Sequence, residues 1–298
     1  MKAILIFFGL FWLALPDSGV LLAASQSGSE LEEARHAFKR RQYDRTLALV
    51  EPLLKGTAAP VDARRLKIKS LVRLERPVEA LAEYDRLVEQ VKQEDRPLLR
   101  EVAISFITPL LKDMREQMRG AAYTALKELD SDETVSYFED GLSDGSGLVR
   151  ALAVEGLGKN PAGRRSPKMQ KALDDQASIV RIMALKALGR SADQSIIKLI
   201  EPALKDEQQI VRVTAAGVLA KFGRKEALGR VRQAAEAPNP EERAAAIRIL
   251  GELHDHQSLP ILQRASTDDQ PSVRGAVAAA LGDLGGAEVA TMLARLLD

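Results

Sequence analysis

The sequence predicts an all-α fold, an α-solenoid (superhelix) of stacked helical hairpins, and three observations carry that prediction. Arginine returns every 31 residues without insertion, at Arg119, Arg150, Arg181, Arg212, Arg243 and Arg274. Around each arginine the apolar residues keep helical spacing. The composition suits helices packed through small and branched side chains: 46% apolar, mostly Leu, Ala, Val and Ile, with only 4% aromatic.

From the N-terminus, Met1-Lys2 is a short basic start to an apolar run from Ala3 to Leu15. Pro16 and Asp17 break the run, and small residues follow at Ala23, Ala24 and Ser25. This is the pattern of a secretory signal peptide over 1–24, cleaved near Ala24 or Ser25. The rival reading is an uncleaved membrane anchor, but a span needs about 20 apolar residues. With no cysteine in the chain, disulfides, thiol catalysis, cysteine–zinc sites and a lipid-modified cysteine are all excluded. A periplasmic or secreted location is the expectation.

Residues 25–29 read as a polar linker. Residues 30–96 then repeat a helical pattern with a 34-residue offset, as in Leu47 to Leu81 and Leu54 to Val88. Tetratricopeptide hairpins have that period, and Phe38 to Asp44 resembles their first-helix end and turn, with Arg40 or Arg41 where glycine is usual and Thr46 where a small residue is usual. Two such units fall below the three that independent stability needs, so this segment is expected to pack directly against the C-terminal part of the chain through Leu98 to Leu111, with a boundary at Pro97 and a kink at Pro109.

Residues 97–298 hold six units of 31. Six residues before the arginines stand Asp113, Asp144, Asp175, Asp206, Ala237 and Asp268. One residue before are Met118, Val149, Val180, Val211, Glu242 and Val273; three after are five alanines and Val277; seven after is always leucine. Positions −1, +3 and +7 make one stripe of a helix. The column twelve residues before the arginine (Ile107, Phe138, Met169, Ile200, Val231, Leu262) belongs to a preceding helix. Each unit is therefore helix, tight turn at the aspartate, helix, and stacking buries what no hairpin can bury alone. Ser146 and Asn239-Pro240 mark helix starts. Gly158, Gly189, Gly251 and Gly282 follow the leucine, where the helices should end. Gly286 to Leu297 reads as a closing helix, with Val289, Met292, Leu293 and Leu296 inward.

The run Asp175…Val180-Arg181…Ala184…Leu188-Gly189 resembles the HEAT repeat. Its short, exact period is similar to that of the bacterial subclass also found in bilin lyases. The resemblance covers about two thirds of the chain. It implies a scaffold that binds proteins, or, as the second reading, a bilin-lyase-like enzyme or chaperone acting on a chromoprotein. The fifth unit departs from the pattern at Ala237 and Glu242, which implies a looser stack or a change of curvature there.

The aspartates and arginines (Asp113, Arg119, Asp144, Arg150, Asp175, Arg181, Asp206, Arg212, Asp268, Arg274) read as a structural ladder, because catalysis needs one constellation and not five copies. Each Asp is placed to accept turn N–H groups, and each Arg to bridge its own Asp and that of the next repeat. One Asp→Ala change, as at Asp206, is then expected to cost about 1–3 kcal/mol. His254-Asp255-His256 offers two metal-ligand types but no third His or Cys nearby, so it reads as an exposed polar turn. There is no phosphate loop, catalytic triad order or nucleophile elbow, and no metal or cofactor is implied. With 43 Lys and Arg against 42 Asp and Glu, no basic field for nucleic acid exists. What remains is a surface. At +5 and +9 from the repeat arginine, Lys159, Lys186, Arg190, Lys221 and Arg248 form a candidate basic face for an acidic protein partner, with Glu155 and Glu252 among them.

Overall fold

The computed structural model describes residues 18–55, 59–129, 131–191 and 193–285. Most of the signal-like segment and the expected closing helix at 286–297 lie outside them. All described regular structure is helical, with no strand, and no described helix is long and apolar enough to cross a membrane. The chain divides into two compact units, at Pro109 and Leu110.

The N-terminal unit contains α1 (Ser18–Lys39), α2 (Tyr43–Leu53), α3 (Val61–Arg73), α4 (Pro77–Val91) and α5 (Arg96–Ile107). Residues 25–29, read from the sequence as a linker, are helical: they belong to α1, which also carries the packed Leu31 and Ala34. Helices α1 and α2, and α3 and α4, form hairpins whose turns match bond for bond. Gln42 donates to the Ala37 carbonyl as Arg76 does to that of Leu71, and Arg41 and Glu75, 34 residues apart, both take left-handed backbone at φ 60° and 56°. The same offset runs through the core, where Ala34 and Ile68, Ala37 and Leu71, Thr46 and Ala80, and Val50 and Tyr84 are all buried. Of the pairs read from the sequence, Leu47 is only half-buried and Leu81 is exposed. Leu98 and Val102 place α5 in this unit's core, beside Leu71 and Leu87.

The C-terminal unit is the stacked array. Its helices are α6 (Glu116–Glu128), α7 (Val135–Gly141), α8 (Gly147–Lys159), α9 (Pro161–Arg164), α10 (Pro167–Lys171), α11 (Ser178–Leu188), α12 (Ile197–Ile200), α13 (Gln209–Lys221), α14 (Lys225–Ala234), α15 (Pro240–Glu252), α16 (Leu259–Ala265) and α17 (Pro271–Leu284). The helices that begin near each repeat arginine pack in sequence, α6 on α8, α8 on α11, then α13, α15 and α17, and so form one layer. The others form the second layer. The columns at +3 and +7 are buried in all six units, and the column at −12 in five. Ser146 and Asn239 cap α8 and α15 with their side chains.

The glycines after the leucines fall close to the helix ends, as their spacing predicts. Gly158 and Gly251 lie inside α8 and α15, and Gly189 follows α11 with α-helical φ of −62°. They are small because the next helix of the layer is close. A Cβ on Gly158 would lie 2.4 Å from the Ala187 Cβ, one on Gly189 2.9 Å from Val218, and one on Gly251 2.5 Å from the Ala280 Cα. Each glycine thus meets the residue at +6 of the following unit.

Candidate functional site

The most regular polar feature of the C-terminal unit is a ladder along the turns. Each repeat arginine is anchored by Nη1 to two carbonyls of its own turn, 2.7–3.0 Å from the residue six before and 2.8–3.3 Å from the residue five before, in all six units. That anchoring aims the other edge, Nε and Nη2, at the next unit. There it grips an aspartate with two parallel bonds: Arg119 to Asp144, Arg150 to Asp175, Arg181 to Asp206 and Arg243 to Asp268, all at 2.7–2.9 Å. Such forked pairs are strong and directional. Each of these aspartates also accepts the N–H two residues on, fixing the turn. The arginine therefore touches its own aspartate only at the backbone carbonyl, and its carboxylate partner is 25 residues away. Asp113, with no unit before it to supply a fork, pairs with Arg115 instead.

The carboxyls respond to these partners. At Asp144 the Arg119 fork, and at Asp268 the Arg243 fork, pulls the pKa below the ordinary 3.8 against the effect of burial. At Asp175 and Asp206 burial pushes upward, but the arginine fork and the turn N–H together outweigh it, again leaving the carboxyl below 3.8. A carboxyl lowered on folding stabilises fully above its unfolded pKa and loses that contribution as pH falls through the folded value. The melting temperature is expected to stay level from about pH 7 to pH 5 and to drop below about pH 4. Thermal melts that remain level down to about pH 2.5 would remove the rungs from the stability account.

One rung is missing. Arg212 keeps its two backbone anchors, to the Asp206 and Glu207 carbonyls at 2.7 and 3.1 Å. Its fork, however, meets Ala237, and it has no carboxylate partner among the described residues. Asn239 caps α15 itself, its Oδ1 accepting the N–H groups of Glu241 and Glu242 at 2.8 and 3.2 Å. A cavity of about 410 Å³ lies at the vacancy, lined by Arg212, Arg230, Gln233, Ala237 and Glu242.

The predicted basic face is built from adjacent helices of one layer. Lys159 ends α8, Lys186 lies in the last turn of α11 and Arg190 two residues beyond it, Lys221 ends α13 and Arg248 lies on α15; all five are exposed. Lys159 donates to the Lys127 carbonyl at 3.0 Å. The acidic member Glu155 is taken up by Lys127 at 3.0 Å. Reading the 254–256 triplet as an exposed turn holds for its histidines only. His254 and His256 are exposed, but Asp255 turns inward, gripped by the Arg232 fork at 2.7 and 2.8 Å and by the Ser258 hydroxyl. No cluster of three or more metal-ligating side chains occurs among the described residues.

Sequence reasoning missed a second buried ionic site, in the N-terminal unit. Glu83 on α4 is 2% exposed and ringed by Arg64, Lys67 and Arg86. Arg64 and Lys67, one turn apart on α3, were the available signal. Arg64 and Lys67 hold α3 against α4 through this carboxylate, and both Glu83 oxygens are engaged by cations.

Among known proteins, the family model of HEAT repeats matches residues 166–237 and 228–298. A solved crystal structure of an engineered protein aligns with 95% of this chain and 90% of its own, at 16% identity and a TM-score of 0.33. No curated protein sequence matches significantly. The ladder and the buried columns extend the repeat of the matched stretch back to Asp144 and Arg119.

Proposed function

We propose that this chain is an exported, non-catalytic scaffold that binds a protein partner along the stacked α8, α11, α13 and α15. The observation that carries the reading is the state of the basic face. Lys186, Lys221 and Arg248 are exposed on successive helices of one layer, Arg190 is exposed just past the end of α11, and none of the four makes an ion pair among the described residues. Solvated cations carried on rigid, stacked helices suit an acidic surface, and the backbone beneath them needs little ordering on binding. Export rests on the signal-like pattern at 1–24, and a tetratricopeptide-like nature of the N-terminal unit on the 34-residue repetition of its turns and core. HEAT repeats commonly serve protein–protein interaction, which agrees with a scaffold. This agreement is one of fold class, whereas the site must be tested residue by residue.

The test is capture of partners by the tagged full chain from intact cell envelope after mild crosslinking, beside a variant carrying Lys186→Glu, Arg190→Glu and Lys221→Glu. These positions are exposed, so the variant should melt like the parent. A single stoichiometric partner, recovered at least tenfold less by the variant, is the expected outcome. Equal recovery by both proteins would refute the basic face.

A further inference from the structure

The vacancy in the ladder leaves Arg212 without the carboxylate that the other rungs hold. At four steps an arginine anchored to its own turn holds a carboxylate of the following unit by two bonds of 2.7–2.9 Å. At the fifth, Arg212 is anchored by the same two carbonyl bonds, so its Nε–Nη2 edge is presented in the same direction. Ala237 supplies no carboxylate. No buried side-chain nitrogen or oxygen lacks a partner among the described residues, so the free edge of the half-buried Arg212 reaches solvent. Arg212 and Ala237 line one cavity of about 410 Å³, whose walls also include polar Arg230 and Gln233 and apolar Leu204 and Val213.

We infer that this cavity takes the aspartate side chain of an acidic segment of a protein partner, which completes the rung from outside. The inference rests on the scaffold reading and gives it a specific anchor. A free phosphate would use the fork alone. A peptide also uses the apolar wall and Gln233, as the ladder aspartates use the turn around them. An arginine fork fixed before binding loses little freedom on capturing a carboxylate, which favours it as an anchor point. The one internal competitor is Glu242, which lines the same cavity in place of the usual valine and makes no ion pair among the described residues. Glu236, at the rim, is already engaged by Arg264.

The full chain, labelled at its arginine side chains, is titrated with the blocked peptide acetyl-Ser-Asp-Gly-Ser-amide, with its Asn counterpart and with inorganic phosphate, following the Nε–Hε resonances. The Arg212 resonance is expected to shift saturably with the Asp peptide and to respond at least tenfold more weakly to the Asn peptide and to phosphate. In Ala237→Asp, where the chain closes its own rung, the resonance should start out shifted and ignore the peptide, and the melting temperature should rise. A silent Arg212, an equal response in Ala237→Asp, or phosphate binding as tightly as peptide overturns the proposal. So does a response seen only in Glu242→Gln, because the site is then closed by the chain itself. Envelope capture separates this idea from the broader one. A partner recovered equally by wild type and Ala237→Asp refutes the anchor and leaves the scaffold standing. Peptide binding at Arg212 with no captured partner supports the pocket and refutes the scaffold.

Discussion

Replacing Arg150 with alanine is expected to destabilise the C-terminal unit by about 3 kcal/mol, the low end for breaking a buried ion pair. The Arg150 and Asp175 side chains are 7% and 15% exposed. Removing the arginine abolishes two bonds to the Asp144 and Gly145 carbonyls and leaves Asp175 with only the Ala177 N–H. The cost therefore has two parts, lost hydrogen bonds and a carboxylate left without its counter-charge in a poorly hydrated place. The molecule carries its own control. Arg212→Ala removes the same two backbone bonds but orphans no carboxylate, and should cost only about 1 kcal/mol. Urea melts of the two variants measure the difference directly. If both lose the same stability, the forks add nothing beyond their carbonyl anchors. Asp206→Ala belongs to the same series. It loses the Arg181 fork and the Gln208 N–H together, and its cost should lie near the upper end of the 1–3 kcal/mol range for unsatisfied partners.

The same ladder marks how far the sequence alone could be read. The 31-residue columns revealed the ladder's members because a backbone turn repeated six times demands the same side chains each time. The aspartate of the next unit was one of the two partners the columns offered each arginine, but that its own aspartate is touched only at the backbone carbonyl was not legible. Asp144 and Arg150 are six residues apart in one turn, and Asp175 is 25 away, so sequence proximity favours the wrong partner. The choice is made by the two carbonyl anchors, which occupy Nη1 locally and turn the fork outward. A carbonyl leaves no trace in side-chain identity. The substitution at Ala237 was visible as a departure and was read as a possible loosening of the stack. Its consequence, a fork with a cavity in front of it, emerges only once the fork's direction is known.

The buried ionic groups were hidden for a related reason. Glu83 and Asp255 sit among charged neighbours in sequence, and 29% of the chain is charged, so solvated faces are the default reading. Their burial depends on cations supplied by another helix, Arg64 and Lys67 for Glu83 and Arg232 for Asp255. In the N-terminal unit, the 34-residue period was legible and the buried register only partly so. Leu81 fits the apolar pattern by type and yet is exposed, while Thr46, polar by type, is fully buried with its hydroxyl donating to the Gln42 carbonyl at 2.9 Å.

The glycine column yields the other large effect, and there the two physical contributions oppose each other. By helix propensity alone, Gly251→Ala inside α15 should stabilise the protein by about 1 kcal/mol. The added Cβ, however, would lie 2.5 Å from the Ala280 Cα and 2.8 Å from its Cβ. Both distances are well inside van der Waals contact, and the first atom is backbone. No side-chain rotation relieves that clash, so α17 must move away from α15, disturbing the buried Val277, Ala280 and Leu281. Overpacking of this kind costs about 1–3 kcal/mol, and a backbone obstacle places it at the upper end. Net destabilisation of about 2 kcal/mol is therefore expected where propensity predicts a gain. Gly229→Ala on the exposed side of α14 is the matched control, because a Cβ there meets nothing within 4 Å. It should stabilise by up to about 1 kcal/mol. Opposite signs for the two substitutions in parallel denaturation curves would establish that these glycines set the spacing of the stacked layer. A stabilising Gly251→Ala would mean that α15 and α17 part at little cost, and that the column marks only a tolerated residue.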